Sequence, residues 1–183
     1  MKKNILLLFI LAFLFSCQNK ETKIIAKKSK KEFILELSNK VFYISPQLNT
    51  EQCIAYNDGC DCCDGRIVFL KNGTFISNFY CIPEESYNIG TFKIENSRVK
   101  LNYSNKVAVL GPESETDFDG KDILKLEKIT GGTTYLEIIK CGKKYVLKSK
   151  LDGYFSEDKK IPFQEAISEY KKIGVWKLLD MKE

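Results

Sequence analysis

The chain has 183 residues, of which 44% are hydrophobic and 29% charged, a balance typical of a globular protein. Its formal net charge of +5 comes from lysines that are spread along the chain rather than gathered with aromatic residues, which argues against nucleic-acid binding. It contains no histidine, and this excludes Ser/His/Asp and Cys/His catalysis as well as zinc sites that need a histidine ligand.

The chain begins with the pattern of an export signal, MKKNILLLFILAFLFSC. Two lysines precede an apolar run from Ile5 to Phe15, and that run is too short for a membrane-spanning helix, which needs roughly 17–25 residues. The motif LFSC, Leu14 to Cys17, resembles the lipobox of bacterial lipoproteins. The resemblance implies cleavage before Cys17 and attachment of a diacylglyceryl group to it, with palmitate as an expected acyl chain.

The chain is therefore predicted to divide into three segments. Residues 1–16 form a lipoprotein signal peptide, 17–32 a lipidated cysteine with a flexible, lysine-rich tether, and 33–183 a single domain. Several acyl chains on one cysteine are enough for stable anchoring. We expect a cell-envelope protein that is held in a bacterial membrane, the outer membrane in the first instance, with its domain outside the cytoplasm.

From residue 33 onward, apolar and polar residues mostly alternate and turn residues recur at short intervals, which is typical of antiparallel strands. A first hairpin is predicted around Asn72-Gly73, a pair that favours a two-residue turn in which Lys71 faces Thr74. A second hairpin is predicted around Asn96-Ser97. The further predicted strands cover residues 41–45, 122–129, 133–141 and 144–150, and residues 106–110 are expected either to extend the second hairpin or to follow it.

The end of the chain has the period of a helix instead. After Pro162, a favoured first-turn residue, Phe163, Ile167, Tyr170 and Ile173 follow at spacings of 4, 3 and 3. Antiparallel strands with short hairpins and one terminal helix predict a mainly β fold, either a small antiparallel β-barrel or a bent sandwich, with a C-terminal helix. The stretches LKNGTF and GTFKIENSRVKL resemble lipocalin-like bacterial domains, which implies a small barrel, sometimes with an apolar cavity.

The stretch GCDCCDGR, residues 59–66, concentrates three cysteines. With a turn at Asn72-Gly73, Asp64 faces Cys81, so we expect Cys81 to bond Cys62 or Cys63. Cys53 is expected to bond Cys60 or whichever cluster cysteine Cys81 leaves, and Cys141 to have no close partner. An even number of cysteines in an exported chain favours such structural disulfides. Beside Cys17, that even set is Cys53, Cys60, Cys62, Cys63, Cys81 and Cys141.

Two other interpretations of the cluster stay open. Thiolates of Cys60, Cys62 and Cys63 suit a soft metal such as copper(I), or zinc. Alternatively, Cys60 and Cys63 form a redox dithiol. The element CDCCDG resembles the Cys-x-x-Cys-[DE]-G motif of the copper-resistance, envelope-stress lipoproteins (the NlpE family), and that resemblance implies that Cys60 and Cys63 are the dithiol pair.

The sequence carries no phosphate-binding loop and no nucleophile elbow. We therefore expect a non-catalytic binding or structural module of the envelope, without a resident cofactor, whose partner is a small ligand or another envelope protein. The alternative function is a thiol-based copper-binding or redox-stress lipoprotein.

Overall fold

The computed structural model describes residues 37–56, 63–81, 84–112 and 122–182. The predicted signal peptide and tether, Cys17, Cys60 and Cys62 lie outside these ranges. Eleven strands and two helices fall within them: β1 (Lys40–Ser45), β2 (Gln47–Asn49), β3 (Ile54–Tyr56), β4 (Cys63–Phe69), β5 (Thr74–Cys81), β6 (Glu84–Glu95), β7 (Arg98–Gly111), β8 (Ile123–Lys128), β9 (Thr133–Cys141), β10 (Lys144–Ser149), β11 (Gly153–Glu157), α1 (Phe163–Lys172) and α2 (Val175–Leu178).

Eight of the strands form a closed antiparallel barrel. They follow one another in the order β6-β5-β4-β1-β11-β10-β9-β7, and β7 pairs back onto β6 to close the ring. β8 extends the sheet by pairing with residues 106–111 of β7, while β2 and β3 form a small separate hairpin. The predicted mainly β fold, a small antiparallel barrel with a C-terminal helix, is confirmed.

The turn of the second predicted hairpin is as expected, whereas the turn of the first is one residue longer. In the second hairpin Glu95 pairs with Arg98, and both intervening residues have positive φ, which is the two-residue turn expected at Asn96-Ser97. In the first hairpin Phe69 pairs with Phe75, and Gly73, at φ 82°, ends a three-residue loop. The predicted register is therefore wrong by one residue.

Three parts of the sheet were not predicted. β6 begins at Glu84, six residues before the predicted strand that starts at Gly90, and both β11 and the β2–β3 hairpin lay in stretches without a clear alternation. Of the two alternatives for residues 106–110, the structure shows extension of the hairpin, because they continue β7. Of these additions, β11 completes the ring by joining β1 to β10, whereas the β2–β3 hairpin lies outside it.

The turns between strands define a lower and an upper end of the barrel. The lower end carries the turns at 70–73, 96–97 and 142–143, and the upper end carries the β10–β11 turn at 150–152. An eight-stranded barrel is just wide enough for side chains to fill its interior. In the lower half they do so, because the Phe69 ring packs edge-to-face against Phe42 at 5.6 Å and against Phe92 at 4.8 Å between centroids.

The predicted C-terminal helix is present as α1, and together with α2 it covers one outer side of the barrel. Ile167 and Tyr170 of α1 are buried against outward-facing residues such as Val68 and Ile76. The Tyr170 hydroxyl donates a hydrogen bond of 2.8 Å to Asn78 of β5. None of the helices in the described ranges is long and apolar enough to cross a membrane.

Candidate functional site

The upper half of the barrel interior carries polar side chains, in contrast to the aromatic lower half. On β5 the side chains of Phe75, Ser77 and Phe79 point inward by alternation, and Ser77 lies opposite Ile67 of β4 and Asn88 of β6. Ser77 is 1% exposed, and its hydroxyl has no partner that meets the full distance and angle requirements of a hydrogen bond, although it interacts loosely with the Tyr103 phenol. A buried hydroxyl without a partner costs on the order of 1–3 kcal/mol, so this position weakens the fold unless something else binds there.

Tyr103 of β7 brings a second hydroxyl to the same region. Its ring packs edge-to-face on Phe75 at 5.0 Å. Burial raises the pKa of the Tyr103 phenol to about 12, the Asp152 carboxylate adds to the rise, and a loose side-chain hydrogen bond with the Ser77 hydroxyl opposes it. The phenol is therefore a neutral O–H group at physiological pH. The Ser77 hydroxyl and the Asp152 carboxylate both lie close to it.

The β10–β11 turn holds the acidic group in place at the upper rim. Ser149 is 2% exposed, and its hydroxyl donates a hydrogen bond of 2.8 Å to the Asp152 carboxylate. The backbone N–H groups of Leu151 and Asp152 donate back to the Ser149 oxygen at 3.1 Å. The carboxylate is thus positioned by the turn itself.

A bulge shapes the wall between Ser77 and Tyr103. The β6–β7 register shifts between Asn88 and Gly90, and Gly90 pairs with Tyr103. A Cβ atom at Gly90 would lie 2.1 Å from the Asn102 carbonyl oxygen and 2.8 Å from the Phe75 ring. Only glycine allows this close approach, and the bend turns the adjacent part of β6 relative to the lumen.

These residues provide a recognition surface rather than a reactive centre. Hydroxyl groups of Ser77 and Tyr103 can donate or accept, and the Asp152 carboxylate can only accept. Asn88 is half-buried opposite Ser77 and offers an amide. We call this set, Ser77, Asn88, Tyr103 and Asp152, the lumen site.

The cysteines are arranged differently from the prediction. Cys53 bonds Cys141, with Cα atoms 5.7 Å apart and 88 residues between them in sequence. The expectation that Cys53 would bond the cluster and that Cys141 would have no partner is wrong. The β2–β3 hairpin folds over the outer face of β10 and β11, where Leu48 packs near Val146 and Tyr154, and this carries Cys53 to the β9–β10 turn.

The cluster itself is described only at its last cysteine. The one-residue change in register places Cys63 directly opposite Cys81, where the prediction had placed Asp64. Directly opposed residues of an antiparallel pair have Cα separations of about 4.5–5.5 Å, which suits a disulfide. Cys60 and Cys62 lie outside the described residues, so the disulfide and metal interpretations of the cluster stay predictions. Within the described ranges no group of three or more cysteine or acidic residues could hold a metal ion.

Comparison with known proteins identifies a fold. No protein-family model and no curated protein matches the chain. A solved structure of a streptavidin-like protein from Bacteroides eggerthii is similar to it, with a TM-score of 0.50 and 12% sequence identity, over 76% of this chain and 93% of that one. At this identity the similarity shows a shared barrel fold alone.

None of the residues of the lumen site was predicted from the sequence. The signal that could have found Ser77 is its place in TFISNFYC, where it occupies an inward position between Phe75 and Phe79. A polar residue there breaks the alternation. Recognising the break requires knowing which face of the strand points inward.

Replacing Ser77 tests whether its hydroxyl lacks a structural partner. Because Ser77→Ala removes an unsatisfied buried hydroxyl, we expect the free energy of unfolding of the ligand-free protein to stay the same or to rise, by up to about 1 kcal/mol. Ser156→Ala is the matched control, since Ser156 is 2% exposed and its oxygen accepts a 2.8 Å hydrogen bond from the Ala55 N–H. That variant should lose about 1–2 kcal/mol in urea unfolding. A similar loss for Ser77→Ala would show that the Ser77 hydroxyl is satisfied within the protein.

Disulfide mapping tests the register. Peptide mass spectrometry of non-reduced protein should recover Cys53 linked to Cys141 and Cys63 linked to Cys81, with Cys60 and Cys62 in other forms. A Cys81 link to Cys62 would contradict the pairing inferred from the register. Free thiols at Cys60, Cys62 and Cys63 that copper(I) or zinc protects from alkylation would favour the metal alternative.

Proposed function

We propose that this chain is a lipid-anchored, non-catalytic binding module of the cell envelope, and that its barrel holds a small molecule at the lumen site. The observation that supports this most directly is the buried Ser77 hydroxyl, which interacts loosely with the Tyr103 phenol and has no well-formed hydrogen bond. Such a group lowers stability, and a bound ligand that bonds to it removes the penalty. The streptavidin-like barrel fold is in keeping with a ligand at one end of the lumen.

The groups of the lumen site favour a neutral polar ligand. An anion would face the Asp152 carboxylate, which is unfavourable in a partly buried position. A ligand that presents a carbonyl beside an N–H group matches the site better. Its carbonyl accepts from the Tyr103 or Ser77 hydroxyl, and its N–H donates to the carboxylate. The Phe75 and Phe79 rings provide apolar walls for the rest of the molecule. Small carboxamides and lactams are therefore the proposed ligand class.

The anchor is proposed from the sequence alone. Lipidation at Cys17 and the tether that follows it would leave the barrel outside the cytoplasm and attached to the membrane surface, where it could sample small molecules or meet another envelope protein. The first described residue, Leu37, packs into the lower end of the barrel. The tether would then leave the domain at that lower end, with the lumen site at the opposite end.

Ligand binding can be screened with small neutral lactams and primary amides by saturation-transfer difference NMR. We expect signals for a subset of these compounds with the wild-type protein, and a loss of at least about tenfold in affinity in Ser77→Ala, because one buried hydrogen bond to the ligand is removed. Ser168→Ala, at an exposed position of α1, is the control and should bind normally. Equal binding by both variants would rule out the lumen site as the place of binding.

The anchor has a separate test. Full-length protein expressed in a bacterium with a lipoprotein pathway should fractionate with membranes, and Cys17→Ser should appear in the soluble fraction because it lacks the acyl chains. If Cys17→Ser remained in the membrane fraction, the lipoprotein assignment would be contradicted.

A further inference from the structure

A cleft of about 850 Å³ lies on the outside of the barrel, apart from the lumen site. Its floor runs along β1 and β11. One wall is the segment 53–56, which the Cys53–Cys141 disulfide holds in place, and the opposite wall is the segment 158–161 that leads into α1. The turn between β9 and β10 closes its lower end. The packed rings of Phe42, Phe69 and Phe92 fill the lower lumen, so the cleft and the lumen site are separate spaces.

The cleft carries an excess of positive charge. Six basic side chains and two acidic ones line it, which leaves four positive charges in excess, almost the whole net charge of the chain. Lys40 is paired with Glu157 at 2.9 Å. Asp158 is the second acidic residue of the lining, beside five further basic side chains. They are Arg66, Lys143, Lys144, Lys159 and Lys160. Such a concentration of one sign raises the local potential and attracts anions.

Arg66 differs from the exposed Lys143 and Lys144 because it is partly buried. It is half-buried on the outer face of β4, and its Nε is buried without a hydrogen-bond partner. The nearby Tyr170 phenol offers no counter-charge, because burial raises its pKa well above the usual value and keeps it neutral, although Arg66 opposes this rise. No carboxylate of the described ranges forms a salt bridge with Arg66. The charges of Glu85 and Glu169 also act on Tyr170, but neither residue forms a salt bridge with Arg66 within the described ranges. A half-buried guanidinium whose Nε has no hydrogen-bond partner is suited to binding a planar anionic group.

Apolar surface lies beside the charges. Ile54 and Tyr56 line the cleft from the disulfide-held wall, and both are more exposed than is usual for large apolar side chains, at 44% and 39%. The lining on the barrel side includes Tyr145 and Phe42, but Phe42 is only 3% exposed because its ring belongs to the lumen core, so Ile54, Tyr56 and Tyr145 supply the apolar surface. A ligand that had only a charge would leave these surfaces uncovered, whereas one with an apolar body would bury them.

We propose that this cleft is a second binding site, for an amphiphilic anion whose phosphate, sulfonate or carboxylate head binds Arg66 and the neighbouring lysines. Its apolar or aromatic body would pack against Ile54 and Tyr56. The head could belong to a free organic anion or to an anionic lipid, and the chemistry of recognition is the same for both. This inference does not depend on the lumen site.

Two dyes with the same ring system isolate the contribution of the charge. Anilinonaphthalene sulfonate carries the anionic head, and N-phenylnaphthylamine lacks it. In fluorescence titrations we expect the sulfonate to bind at least about tenfold more tightly, and its advantage to shrink as salt rises or inorganic phosphate is added. Equal affinities for the two dyes would overturn the proposal. That result would leave the lumen site untouched, because amides were the probes there.

Variants locate the site. Arg66→Gln should weaken the binding of the sulfonate about tenfold and change the binding of the neutral dye little, whereas Arg98→Gln, an exposed residue outside the cleft, should bind both dyes normally. Because Arg66 is half-buried, the exposed pair Lys143→Gln/Lys144→Gln provides a test that does not disturb the core, with an expected loss of about two- to fivefold. Lys106→Gln/Lys128→Gln removes the same charge from the β7–β8 pair and is its control. If neither Arg66→Gln nor the lysine pair weakened the sulfonate complex, the cleft would not be the site.

Vesicle flotation then assigns the source of the head group. Cys17→Ser protein that floats with phosphatidylcholine vesicles containing phosphatidylglycerol, and that loses this binding in Lys143→Gln/Lys144→Gln, recognises a lipid head. Binding of the sulfonate dye without flotation indicates a soluble anion. Either result supports recognition of an anion at the cleft.

Discussion

Closure of eight strands around a narrow lumen is the constraint on which the rest of this structure depends. Once β7 pairs with β6 on one edge and β9 on the other, every inward side chain competes for a space that is only one layer of side chains wide. The lower half meets this demand with interlocking Phe42, Phe69 and Phe92 rings, which leave no need for a ligand. The upper half meets it with Ser77 and Tyr103, whose hydroxyls interact loosely with each other and leave the buried Ser77 oxygen without a well-formed hydrogen bond.

The outer surface follows from the same closure. A barrel of alternating strands exposes apolar residues on parts of its outer face, and two added segments cover them here. The helices α1 and α2 pack over one side, and the β2–β3 hairpin packs over another, where the Cys53–Cys141 disulfide fixes it. The space between these two covers is the cationic cleft. The β2–β3 hairpin thus covers apolar surface of the barrel and also forms one wall of the cleft.

Local pattern was enough to predict most strands, the Asn96-Ser97 turn and the helix that begins after Pro162. It was not enough for the first hairpin, because a glycine at the end of a three-residue loop gives the same Asn-Gly sequence as a two-residue turn, and the two differ in register by one residue. The Cys53–Cys141 bond could not be predicted from local pattern because its cysteines are 88 residues apart. They come together only when β1, β11, β10 and β9 are neighbours in the sheet. Ser77 and Arg66 look like ordinary solvent-facing residues until the inner and outer faces of their strands are known.

The central claim is that the upper lumen is kept polar for a ligand and is not a completed part of the core. A high-resolution crystal structure of protein purified without denaturation tests it most directly. We predict ordered density for water or a small molecule within hydrogen-bond distance, about 2.7–3.2 Å, of both the Ser77 and the Tyr103 hydroxyl oxygens. A lumen in which another side chain of the protein fills this space and bonds to Ser77 would contradict the account.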